Sequence, residues 1–217
     1  MSIAENLKKI KDGLPAHVEL VAVSKTKSNA EIMEAYDAGH RIFGENKVQE
    51  MTEKWSELPK DIQWHMVGHV QRNKVKHMAP YVSLIQGVDS LKLLKEINKQ
   101  GRKHNRVIPC LLQIHIAKEE TKFGFDEQEL QALIVEEDFQ DLKHVEIKGL
   151  MGMATFTDKE EVIRGEFHSL KFMFDSLKTI LPGITVLSMG MSGDYRIAIE
   201  EGSNMVRIGS SIFGERH

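Results

Sequence analysis

Residues 20–46 read LVAVSKTKSNAEIMEAYDAGHRIFGEN, and this stretch decides the fold. Leu20 to Ser24 is a short apolar run of strand length. Asn29 to Ala38 follows as a helix, with Ser28 as its N-cap and Gly39 as its C-terminal stop. Arg41 to Gly44 is the next strand. Strand, helix and strand in that order imply parallel pairing through a helical crossover.

The alternation continues outward along the chain. Further strands are expected at 63–67, 82–86, 107–116, 144–151, 185–188 and 205–208, separated by helices near 47–58, 73–78, 90–104, Asp126 onward, 159–180 and 195–200. Eight such units in 217 residues favour a closed α/β (β/α)₈ TIM barrel over an open doubly wound sheet. No linker or low-complexity tract divides the chain, so residues 1–217 read as one barrel domain. Ile3 to Lys11 is expected to add an outer helix.

Composition narrows the function. A hydrophobic fraction of 41% supports a core, and a net charge of −3 gives no global field for nucleic acid or anionic membrane. The cluster Arg72 to His77 is short and interrupted; it reads as a solvated helix face, with a local anion or partner patch as the alternative. Cys110 is the single cysteine, so no disulfide can form within the chain, and its apolar surroundings suit a buried thiol rather than a nucleophile. The N-terminus has no signal-peptide pattern and no apolar run is long enough to span a bilayer, which places the protein in the cytoplasm as an expectation. The ten histidines are scattered, and no metal site is expected.

Barrel chemistry collects where strands end. Lys25 follows the first strand, Glu45 and Asn46 the second, Gly68 and His69 the third, Gly152 and Met153 the sixth, Gly190 to Gly193 the seventh, and Gly209 to Ser211 the eighth. Small hydrogen-bonding residues with one primary amine suit an anionic small molecule. The last two loops suit phosphate: Ser192 is expected to begin a helix, Gly193 to admit close backbone approach, and Gly209 and Ser210 to open the last short helix. Taken singly, each pair reads as an ordinary N-cap or turn; two such pairs on adjacent loops bring the phosphate reading level with it.

Lys25 has two readings, a lysine reaching out of the rim and a desolvated amine able to form a Schiff base with an aldehyde. Beside a phosphate pocket, the second points to pyridoxal 5′-phosphate. Lys27 competes for the role, and Lys25 is preferred as nearer the strand end. Arg207 stands in an apolar strand and needs a partner, either a carboxylate or a cofactor's pyridine nitrogen. A barrel reading phosphorylated sugars or nucleotides, with Lys25 as a plain phosphate contact, remains the binding alternative.

The segments VAVSKTKS, FGENKVQE, WHMVGHVQRNK, GLMGMATFTD and LSMGMSGDYRIAIEEGSNMVRIGSSIFGER together resemble the pyridoxal phosphate homeostasis family, small relatives of the alanine racemase N-terminal barrel. The resemblance covers nearly the whole chain. It implies a barrel of the alanine racemase type carrying pyridoxal 5′-phosphate on Lys25 as a Schiff base. It further implies a phosphate cradle at Ser192, Gly209 and Ser210, Arg207 facing the pyridine nitrogen, and Asn46 and His69 lining the cofactor face. Ser210 replaces a common threonine and keeps the hydroxyl.

The resembling racemases place a tyrosine from a second domain opposite the cofactor lysine. This chain ends at His217, soon after the eighth strand, so that domain is expected to be absent; Tyr36, Tyr81 and Tyr195 are not placed to replace it. The expectation is a monomeric carrier that maintains cofactor supply without turnover, with apo-enzymes as candidate partners. A racemase-like amino-acid enzyme is the alternative.

Overall fold

In a computed structural model, which describes residues 2–119 and 123–214, eight parallel strands close into a barrel in chain order. The strands are β1 (Glu19–Val23), β2 (Ile42–Glu45), β3 (Gln63–Met66), β4 (Leu84–Val88), β5 (Ile108–Ile114), β6 (Val145–Gly152), β7 (Val186–Ser188) and β8 (Met205–Ile208). β8 pairs back onto β1, with Val21 opposite Arg207, and this closure removes both sheet edges. The expected eight strands are all present; the fourth runs two residues later than read, because the Val82 amide is still bonded to the Met78 carbonyl.

The helices are α1 (Ile3–Asp12), α2 (Asn29–Asp37), α3 (Val48–Glu57), α4 (Val75–Met78), α5 (Leu91–Lys103), α6 (Glu127–Val135), α7 (Glu137–Gln140), α8 (Glu160–Ile180), α9 (Tyr195–Glu200) and α10 (Ser210–Phe213). Ser28 caps α2 through a reciprocal box with Glu31, and Gly39 stops it at φ 84, a conformation glycine adopts without steric cost. α7 was not expected; it is one turn after the α6 cap at Glu136. The segment Arg72–Lys74 is a 3₁₀ turn leading into α4, whose Val75 and Met78 are buried while Lys76 and His77 are exposed, as a solvated face requires.

Two apolar cores result. The larger lies between sheet and helices and buries Phe43, Trp64 and Phe167 completely. Each such side chain contributes about 1.5–3 kcal/mol. The smaller fills the barrel lumen with Val21, Leu84, Leu111, Met151 and Met205. Cys110 is fully buried and burial pushes its thiol pKa up, as expected of a structural cysteine. Among the described residues, no helix is long and apolar enough to cross a membrane.

Candidate functional site

Parallel closure gathers all eight strand ends at one mouth. A cavity of about 690 Å³ opens there, within the size range of small-molecule sites. Lys25, Asn46, His69, Ser192, Arg207, Gly209 and Ser210 all line it, so these seven meet at one place; Glu45, Gly152, Gly190 and Ser211, also read near strand ends, are not among its lining residues. Among the described residues, no cluster of ligating side chains could hold a metal ion.

Lys25 does not end the strand itself. β1 stops at Val23, and Ser24 still pairs through its amide with the Gly44 carbonyl at 2.9 Å. Ser24 to Lys27 then form a tight turn, closed by Lys27 N–H donating to the Ser24 carbonyl at 3.0 Å. Lys25 is half-buried on this turn. Lys27 also borders the cavity, but its ammonium donates to the Phe213 carbonyl at 3.0 Å and pairs with Glu31 at 3.4 Å.

Arg207 rises from β8 with 4% of its surface exposed. Within the protein it pairs with a hydroxyl and a backbone carbonyl rather than a carboxylate: Nη1 donates to Ser188 Oγ at 2.6 Å, and Nη2 to the Gly152 carbonyl at 3.0 Å. Burial pushes its pKa down to about 10, with Asp194 acting in the opposite direction, so it stays a cation at neutral pH. Ser188 Oγ passes the chain on to Gln86 Oε1 at 2.7 Å, and Gln86 Nε2 to His65 Nδ1 at 3.1 Å. Two of five guanidinium donors are thereby engaged, leaving donor capacity where Arg207 borders the cavity.

The loops after β7 and β8 line the same cavity, the second of them beside the end of β1, because β8 pairs with β1. Ser192 does not begin a helix, contrary to expectation. α9 starts at Tyr195, because Asp194 Oδ1 accepts the Met191 amide and closes a separate turn first. Ser192 Oγ instead accepts the Gly209 amide at 3.3 Å, tying the two loops together. Gly190, at φ 99, has no room for a Cβ, which would lie 2.6 Å from Ala198 Cβ. Gly209 and Ser210 do open α10, as expected, and the first amides of that helix have no acceptor within it.

On the rim, His69 Nδ1 is bonded to Asp89 Oδ2 at 2.8 Å and its ring stacks on Phe123 at 3.8 Å. Asn46 is exposed; its backbone packs so closely on Gly68 that a Cβ there would meet the Asn46 carbonyl at 2.5 Å. The sequence reading missed Gln113 and Phe123. Gln113 is buried in β5 and its Nε2 donates to the Phe123 carbonyl at 2.8 Å, which brings that ring to the cavity. A lone amide in the apolar run of β5 was the available signal.

A family model described as "Alanine racemase, N-terminal domain" matches residues 1–217. A protein named pyridoxal phosphate homeostasis protein from Aquifex aeolicus is 38% identical over 200 residues, covering 91% of this chain and 87% of the relative. The chain belongs to the pyridoxal phosphate homeostasis family, within the alanine racemase N-terminal group. The family's Escherichia coli protein of the same name is 36% identical across 99% of this chain and 97% of its own. PipY of Synechococcus elongatus, solved with PLP bound, shares the family fold at a TM-score of 0.90 and 35% identity, covering 98% of this chain and 100% of that one. The expected barrel type is thus the one found.

Proposed function

We propose that this chain binds pyridoxal 5′-phosphate in the mouth cavity, attached covalently through Lys25 Nζ, and maintains the supply of that cofactor without turning over a substrate. The observation that carries the reading is the convergence of an amine, a buried guanidinium and two hydroxyl-bearing loops on one cavity. It agrees with the names of the relatives and with PipY, which was solved with PLP bound.

The donor set fits the group. Arg207 can only donate, so it suits an unprotonated ring nitrogen and holds that nitrogen's basicity in check. Ser192 and Ser210 suit a phosphate by hydroxyl donation, with Gly209, whose amide is held by Ser192 Oγ, setting the loop between them. Lys25, half-buried, lines the same cavity, and a partly desolvated amine is the nucleophile required. The chemistry that the group supplies is an electrophilic aldehyde.

Turnover as a racemase requires a proton donor on the face opposite the lysine. The three tyrosines are engaged elsewhere: Tyr36 Oη bonds Asp61, Tyr81 Oη bonds Thr52, and Tyr195 Oη, at the start of α9, accepts from Arg196 Nε at 3.4 Å. The setting we propose is the cytoplasm, the working form a monomer, and the recipients apo-enzymes that use the cofactor.

Incubation with pyridoxal 5′-phosphate, borohydride reduction and peptide mass analysis tests the reading. A pyridoxyl mass on Lys25, absent from Lys25→Ala, is expected. Label on another lysine, or none, refutes the attachment, and alanine racemisation by the loaded protein refutes the carrier role.

A further inference from the structure

Behind the Lys25 turn lies a buried polar knot that the binding reading leaves unused. Lys54, on α3, is 5% exposed although it carries a charge. Its ammonium donates to the Ser24 carbonyl at 2.8 Å, to Glu45 Oε1 at 2.8 Å and to Glu50 Oε1 at 2.7 Å. An ammonium has three N–H donors, and all three are placed. Ser24 Oγ donates to the same Glu45 oxygen at 2.6 Å. Glu45 is completely buried; burial pushes its carboxyl upward, and Lys54 pulls it back toward the ionised form.

Apolar side chains in place of the whole Lys54–Glu45 pair would avoid its desolvation cost, since buried ion pairs rarely add net stability over well-packed apolar groups. The knot therefore calls for another role, and its contacts supply one. Thr26 has φ 65, a left-handed conformation that a β-branched residue strongly disfavours. Its amide donates to Glu50 Oε1 at 2.6 Å, the oxygen that Lys54 also holds. On the other side of Lys25, the Ser24 carbonyl is held by Lys54 directly. Both peptide groups flanking the Lys25 Cα are thus tied to one ammonium. Fixing those two peptide planes fixes the φ and ψ of Lys25, and so the direction in which its side chain leaves the backbone.

We infer that Lys54 and Glu50 form a clamp that aims Lys25 into the cavity, and that they are positioning residues for its covalent attachment. This rests on the proposed role of Lys25. Without the clamp, Thr26 relaxes toward ordinary backbone angles, and Lys25 presents its amine in the reactive direction for only part of the time.

Two readouts test the clamp. The first needs no cofactor: hydrogen exchange at the Thr26 amide, followed by NMR in the unloaded protein. The second is the initial rate of borohydride-trapped pyridoxyl labelling at Lys25. In Glu50→Ala, Thr26 protection and the labelling rate are both expected to fall about tenfold, with the melting temperature nearly kept. Glu50→Gln retains an acceptor oxygen and should recover most of both. Adding Thr26→Gly to Glu50→Ala should recover labelling alone, because glycine accepts the positive φ without a clamp. Lys54→Met should lose labelling as well, and if it fails to fold, the Glu50 series decides. Wild-type labelling rates in Glu50→Ala, despite lost Thr26 protection, overturn the inference. Labelling that falls only in proportion to global unfolding overturns it too. If wild-type Lys25 takes no label at all, the attachment is what fails, and unchanged Thr26 protection in Glu50→Ala then rejects the clamp separately.

Discussion

Acid should weaken this fold in a way traceable to one imidazole. His65 lies inside the barrel at 4% exposure, and its pKa is lowered from 6.5 to about 3, mainly by burial and secondarily by His40. The hydrogen-bond chain gives the same answer independently. Arg207 can only donate, so Ser188 Oγ accepts from it and gives its own proton to Gln86 Oε1. The Gln86 amide nitrogen then faces His65 Nδ1, which must accept and so be unprotonated. Lowering the pH through 6.5 protonates this histidine in the unfolded chain while the folded one stays neutral. The unfolded state then binds more protons, and stability falls with pH until the folded value near 3 is reached. At about 1.4 kcal/mol per pH unit, His65 alone costs about 2 kcal/mol at pH 5 relative to pH 7. In a chain of this size that is about 4–8 °C in melting temperature. Urea denaturation at pH 7 and pH 5 should show this extra loss in the parent and not in His65→Asn, which keeps an acceptor near the Nδ1 position. His40 titrates low in both proteins and largely cancels. Equal losses in parent and variant would refute the reasoning, as would a folded-state His65 titrating near 6.5 by NMR.

Two further outcomes follow from the site and the barrel. Ser192→Ala removes a hydroxyl donor of the proposed cradle and the tie that holds its two loops together, so equilibrium dialysis should show about fivefold weaker cofactor binding, on a loss of about 1 kcal/mol. Its melting temperature should hardly move, and unchanged affinity counts against Ser192 as part of the cradle. Gly149→Ala would place a methyl 1.7 Å from the Val186 carbonyl, where β6 pairs with β7. That overlap should destabilise the barrel by several kcal/mol, and a variant melting within about 2 °C of the parent would show that the strands can part there cheaply.

The same hydrogen-bond chain explains why Arg207 can remain charged in the lumen. Its charge is shared with a hydroxyl and a backbone carbonyl rather than cancelled by a carboxylate in contact. A contacting carboxylate would compete for the same donors with the ring nitrogen that we propose Arg207 to face. The neutral relay leaves them oriented and available.

The order of elements, and hence the mouth at which Lys25, Asn46, His69, Ser192, Arg207, Gly209 and Ser210 meet, was legible in the sequence alone. The reason is that strand length, helix caps and crossovers are local features, and parallel closure then carries every strand end to the same side. Arg207 was legible because a charge in an apolar strand stands out; Gln86 and Gln113 carried the same kind of signal more faintly. Lys54 could not be read this way. Beside Glu50, four residues before it, it looks like a solvent-exposed pair on a helix surface. Its burial depends on a contact with Ser24, thirty positions earlier, just as the anchor of Arg207 depends on Ser188 meeting Gln86 across 102 positions. Such contacts exist only once the barrel has closed, because they are made by packing between distant elements and leave no periodic trace along the chain.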